Sequence, residues 1–212
     1  MTLQEIRDDN RNRVLETALE MFIEKGIEQV KIKDVAKNAG LTERSIFRYF
    51  PTKSDLVLET AITFWEKATS GTKEFNFDKA FSGLEGQPLI EAVLKTYAKV
   101  FLSKKDALIF IEEAEIYLYR KNMLNQFTNK PISSYREGAL PLAHALSLEV
   151  QSGRLKNLDE VEIFFHNVFD GLLGLMQKLS TAAYNSSLSD EERTKRLDYF
   201  CQWMSNGLFL KS

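Results

Sequence analysis

Three observations predict an all-α protein. Apolar residues recur at intervals of three and four, as in Val14, Leu15, Ala18, Leu19 and Phe22 and again in Ile32, Val35, Ala36 and Ala39. No segment alternates convincingly with period two. The four prolines and ten glycines fall mostly between the periodic segments, where they punctuate helices. The expected layout is an N-terminal three-helix bundle containing a helix-turn-helix, residues 1–53, followed by a larger helical domain, residues 54–212, with about nine helices in total.

Each element follows from local signals. Thr2 and Glu5 have the spacing of a capping box, so the first helix starts there or, beyond the polar Asp8-Asp9-Asn10 stretch, near Asp9; it ends at Gly26. A short second helix covers Ile32 to Ala39 and stops at Gly40, a residue that tolerates the positive φ of a tight helix exit. Thr42 caps a third helix that runs to Phe50, where Pro51 interrupts backbone hydrogen bonding. Ser54 is expected to cap a fourth helix to about Thr69. The stretch from Ser70 to Gln87 is glycine-rich but carries Phe75, Phe77 and Phe81, which predicts a docked loop. Further helices are expected at Leu89–Ser103, Asp106–Arg120, Asn122–Gln151 with interruptions at Pro131 and Pro141, Asp159–Ala183 and Ser189–Phe209.

Composition excludes several classes. At 212 residues and 44% hydrophobic content the chain has ample material for a core, which rules out disorder. The net charge of -2 excludes a general coat of positive charge, but not a local basic patch. Cys201 is the single cysteine, so no intrachain disulfide or thiolate metal cluster forms. The polar N-terminus lacks the apolar core of a secretory signal, and no run of about 18 uncharged apolar residues occurs. A cytoplasmic chain without a membrane partner is the expectation.

The patch is found in the turn between the second and third helices. Ala36, Gly40 and Ile46 have the spacing that two short helices need to cross steeply around a tight turn, with Val35, Leu41, Ile46 and Phe50 filling the core beneath. The opposite face of the third helix then carries Thr42, Glu43, Arg44, Ser45, Arg48 and Tyr49, all within reach of a groove. Between Lys31 and Lys53 six positive residues stand against two negative ones, the concentration that phosphate neutralisation requires.

These residues resemble a known family. Phe22-Ile23-Glu24-Lys25-Gly26, Ile32-Lys33-Asp34-Val35-Ala36, Ala39-Gly40-Leu41-Thr42, Ile46-Phe47-Arg48-Tyr49-Phe50 and Lys53-Ser54-Asp55-Leu56 together look like the TetR family of bacterial transcriptional regulators, over roughly Val14 to Thr60. The resemblance implies that the third helix lies in the major groove of double-stranded DNA, with Glu43, Arg44 and Ser45 nearest the base edges. Arg44 is the expected reader of guanine, whose O6 and N7 a guanidinium can bond together. Lys33 matches a position from which family members also reach bases. Thr42, Phe47, Tyr49 and Lys53 match positions that usually hold the sugar-phosphate backbone, and Arg48 completes the DNA-binding set. Three departures bear on individual contacts. Phe47 stands where a Tyr is usual and loses a phosphate hydrogen bond. Lys31 replaces a hydroxyl cap. Arg44 occupies a position that commonly holds a small residue.

From Ser54 onward 18 positive residues balance 21 negative ones amid many aromatics, a surface unsuited to DNA. The resemblance implies that this region dimerises and encloses a small-molecule effector. The expected effector-binding residues are Trp65, Tyr97, Phe101, Phe110, Tyr117 and Phe169, with Glu113 as a polar anchor; the aromatics predict a largely apolar ligand. The expected dimer interface is formed by Phe164, Val168, Gly171, Leu172 and Leu175 on the penultimate helix and Leu197, Phe200, Met204 and Leu208 on the last, with Gly171 and Gly174 permitting close helix approach.

Glu162, His166 and Asp170 share one helix face, but three ligands on one helix rarely converge on one ion, and no phosphate loop, nucleophile elbow or zinc-protease motif occurs. No enzyme activity, metal or cofactor is therefore expected. The function predicted is that of a DNA-binding transcriptional regulator, a homodimeric repressor released from a palindromic operator by an effector. The alternative is a helical ligand-binding or interaction module that does not bind DNA.

Overall fold

A computed structural model describes residues 2–70, 76–129, 140–155, 158–181 and 187–209. Among these the regular structure is entirely helical, in eleven elements rather than nine: α1 (Leu3–Lys25), α2 (Ile32–Asn38), α3 (Glu43–Tyr49), α4 (Lys53–Ser70), α5 (Phe77–Ala80), α6 (Gly86–Leu102), α7 (Lys105–Arg120), α8 (Leu124–Asn129), α9 (Leu140–Gln151), α10 (Leu158–Ser180) and α11 (Asp190–Phe209). The two additional elements have local causes. The expected loop before α6 contains the single turn α5, capped by the Asn76 side chain on the Lys79 amide, with Phe81 buried behind it. Of the stretch 122–151, expected to be helical with interruptions at Pro131 and Pro141, the described residues form α8 and α9. Pro141 lies in the first turn of α9, where its missing N–H would have no intrahelical acceptor, so it starts a helix instead of interrupting one. Pro131 lies outside the described residues, as does Phe75.

The capping signals decide most boundaries. Thr2 and Glu5 form the reciprocal capping box, so α1 takes the earlier of its two expected starts. Fourth-helix capping differs from the expectation at Ser54. Asp55 accepts from the Thr52 amide at 2.8 Å while the Thr52 hydroxyl accepts from the Asp55 amide at 3.1 Å, so Thr52 is the cap and Ser54 is free to approach Tyr117. Gly40 adopts φ +66°, and the bonds from the Leu41 amide to Ala36 and from the Gly40 amide to Lys37 close the α2 terminus as a Schellman turn. Lys31, as expected of an ammonium, gives α2 no side-chain cap.

The chain forms two compact units, Met1–Thr69 with Ile109–Tyr135, and Ser70–Leu108 with Arg136–Ser212. Packing thus groups α4 and most of α7 with the helix-turn-helix. The core of the first unit is Val14, Leu15, Ala18 and Phe22 from α1, Val35 and Ala36 from α2, and Ile46 and Phe50 around α3. Phe22 stacks flat on Phe110 of α7, ring centres 5.6 Å apart. Arg11 of α1 lies over the Phe50 ring and bonds Glu59 of α4 at 2.6 Å, tying three elements together.

In the second unit α6 is central, packed by α9, α10 and α11. Leu89, Ile90, Val93 and Leu94 of α6 and Leu142 and Leu146 of α9 are buried where α6 packs against α9 and α10. Fully buried Glu149 accepts from the Gly86 amide at the start of α6 and pairs with Arg154, which also reaches Glu85. Buried Arg193 bonds the Leu179 carbonyl near the end of α10.

Candidate nucleic-acid interface

The interface is built on α3. Ile46 and Phe50 are buried beneath it, which forces the rest of the helix outward, so Glu43, Arg44, Phe47 and Arg48 are exposed together with Thr42 at its start. Phe47, 46% exposed, presents an aromatic ring to solvent. Thr42 accepts from the Ser45 amide at 3.1 Å and its hydroxyl meets that of Ser45 at 3.0 Å, so both hydroxyls fix the first turn. The guanidinium of Arg48 lies 5.3 Å above the Tyr49 ring and donates to the Tyr49 hydroxyl at 3.3 Å, which holds the two side chains as a pair. Lys33 is exposed at the start of α2.

Lys53 is placed differently from the other candidates. Its ammonium donates to the Glu28 carbonyl at 3.3 Å in the turn between α1 and α2, and partial burial lowers its pKa, with attraction to Glu28 and Glu113 opposing that shift. It faces the turn, so any contact with a phosphate competes with this bond.

The residues expected to hold an effector are divided between the units. Trp65, Phe110, Glu113 and Tyr117 belong to the first, Tyr97, Phe101 and Phe169 to the second. Phe110 is committed to Phe22, the Glu113 carboxylate accepts from the Ile27 amide at 2.7 Å, and Tyr117 approaches Ser54 at 3.4 Å and carries Lys121 over its ring. Trp65 is buried edge-on against Phe64. In the second unit Tyr97 and Phe169 meet edge to face at 6.2 Å. Burial pushes the Tyr97 phenol pKa up, partly offset by the facing Leu142 backbone, yet its hydroxyl makes no hydrogen bond of normal geometry. The side chain of Phe101 lies outside the described residues.

Most of the residues expected at a dimer interface lie in the α10–α11 seam of a single chain. Phe164, Val168, Leu172 and Leu197 are buried in its core. Gly171 permits close approach, but to Phe200 of the same chain, whose ring edge lies 3.0 Å from where a Cβ would sit. Leu175, Phe200, Met204 and Leu208 are half-buried. The expected stripe of Leu197, Phe200, Met204 and Leu208 passes over the outermost residues, Tyr199 at 63% and Trp203 at 80% exposure, although their spacing of four places them together on one helix face. With Leu175 and Phe200 they line a groove of about 770 Å³ rimmed by Glu191, Glu192, Lys195 and Arg196. His166 and Asp170 are exposed, the Glu162 side chain lies outside the described residues, and among those described no cluster of three metal-ligating side chains occurs. Among the described residues no helix is long and apolar enough to cross a membrane.

A helical protein that presents a basic, solvent-facing recognition helix over a fixed turn is a helix-turn-helix DNA-binding protein. Residues 14–60 match the sequence model of the bacterial regulatory proteins of the tetR family. The uncharacterised HTH-type transcriptional regulator YerO of Bacillus subtilis is 21% identical over 207 residues, covering 87% of this chain and 70% of YerO. A putative TetR-family regulator from Mesorhizobium loti shares the fold with a TM-score of 0.71 at 12% identity, covering 95% of this chain and 96% of that one. The FadR regulator of Bacillus subtilis, solved in complex with stearoyl-CoA, shares it with a TM-score of 0.62 at 15% identity over 92% of this chain and 97% of its own. Residues 14–60 thus carry the sequence of the TetR-family DNA-binding domain, and the chain as a whole resembles TetR-type transcriptional regulators in fold.

Proposed function

We propose that this protein is a cytoplasmic, homodimeric repressor that occupies a palindromic operator and is released by a small-molecule effector. DNA binding is assigned to residues 1–53, effector binding and dimerisation to residues 54–212. The observation that carries the reading is the exposed face of α3, where Glu43, Arg44, Phe47 and Arg48 face solvent above buried Ile46 and Phe50. Arg44 reads a base, while Tyr49, Thr42 and the surrounding cations hold phosphates and set register. Two such helices meet two half-sites about one helical turn apart only in a dimer, and the outer face of α10 and α11, with Tyr199 and Trp203, supports self-association there.

The FadR complex with stearoyl-CoA supports an effector with a long apolar part. In this chain the buried Tyr97 hydroxyl beside Phe169, which makes no hydrogen bond of normal geometry, supports a ligand that also brings a hydrogen-bonding group. An effector that prefers the DNA-free state need supply only about 1–3 kcal/mol of coupling to loosen the operator several-fold or more.

The test is selection of bound duplexes from a random library by the full-length protein, with the winner titrated against salt. An enriched palindrome and a steep loss of affinity with salt are expected; no enrichment at any salt would leave a ligand-binding module without a DNA role. Arg44→Ala is expected to cost about 1–3 kcal/mol and relax preference at one position of each half-site, as read by competition between operator variants.

A further inference from the structure

We propose that Glu113 of α7 is a positioning residue for DNA binding: its carboxylate latches the turn between α1 and α2 and so fixes the placement of the helix-turn-helix. The inference rests on the DNA-binding reading above and adds to it a residue far outside the recognition motif.

A carboxylate on the inner stripe of α7, beside Phe110, Ala114 and Tyr117, loses hydration and needs a partner. That partner is a backbone amide, not a side chain: Ile27 donates to Oε1 at 2.7 Å across a sequence separation of 86, a charge-assisted bond. The approach is possible because residue 26 is glycine. A Cβ there would lie 3.3 Å from Oε1 and 3.5 Å from Oε2, and its φ of +77° turns the chain so that the Ile27 amide faces α7. Lys53 of α4 donates to the next carbonyl, that of Glu28, and is attracted to the Glu113 carboxylate. Ile27 and Val30 are buried below it, and α2 begins at Ile32. The turn is thus clamped by side chains of two helices, and α2 and α3 extend from the clamp.

Stability alone would not choose this residue. The carboxylate lies at the C-terminal end of α1, where the helix dipole favours a cation. Its value lies in directionality, since it fixes one amide in one place.

The experiment compares Glu113→Gln, Glu113→Asp and Glu113→Ala in the full-length protein, on the duplex that the parent selects. Folding is checked by circular dichroism at the assay temperature, and exchange of the Ile27 amide by NMR. Gln retains an oxygen at the same reach and is expected to bind nearly as the parent does. Asp keeps the charge but is one methylene short. Asp and Ala are expected to lose affinity by about tenfold or more, about 1.4 kcal/mol, with faster Ile27 exchange and an unchanged salt slope. Asp and Ala both folded and within about twofold of the parent would overturn the proposal. So would equal losses in Gln and Asp with Ile27 protection intact. If Ala does not fold, the contrast between Gln and Asp decides. Failure of the parent to select any duplex would instead remove the DNA-binding reading and the latch with it.

Discussion

Cys201 lies fully buried on α11, and burial, with Asp198 nearby, pushes its thiol up to about 12. Only the thiolate alkylates, so the folded protein at pH 8 is expected to be inert to iodoacetamide, with the rate rising only as pH approaches that value. Full labelling on denaturation with protection when folded is the mass-spectrometric result that checks this. Two glycines make a second contrast. Gly40 has no atom within 4 Å of a would-be Cβ, so Gly40→Ala is charged only for its left-handed backbone, about 1–2 kcal/mol in chemical denaturation. Gly171 has ordinary helical backbone but faces the Phe200 ring, so Gly171→Leu is expected to cost about 1–3 kcal/mol by overpacking. Sequence could identify Gly40, because its position after a short helix and before a capping threonine specifies the conformation. At Gly171 a small residue advertises close approach without saying to what, and within the chain the neighbour is Phe200.

At the level of elements, the first three helices were legible because each carries its own punctuation: Gly26, Gly40 and Pro51 end them and Thr42 begins one. The misplaced start of α4 was written in the chain as Thr52 followed three residues later by Asp55, a capping box that Ser54 obscured. The partners of α7 were not legible. Phe110, Glu113 and Tyr117 have the spacing of a helix face, but nothing local reveals that they meet Phe22, Ile27 and Ser54, since periodicity identifies which side is inward and not what covers it. A similar long-range device starts α6. Glu149→Ala removes the acceptor of the Gly86 amide and is expected to lower stability by about 1–3 kcal/mol, read as an earlier denaturation midpoint.

For the whole molecule, the outer face of α10 and α11 sets the expected assembly. Trp203→Asp places a charge on that exposed aromatic face. The expected outcome in light scattering is a shift from dimer to monomer, accompanied by loss of operator affinity, because a monomer engages one half-site at a time; an unchanged mass would move the interface elsewhere.

The first unit also has an unusual order of birth. Its two stretches of chain are separated by residues 70–108, so a ribosome releases the whole recognition motif well before the helix that closes its underside. Until Phe110 and Glu113 emerge, Phe22 has no stacking partner and the Ile27 amide no acceptor. The half of the protein that meets DNA is therefore made first and matures late, and a nascent chain cut short before α7 would carry a complete motif on an unfinished core.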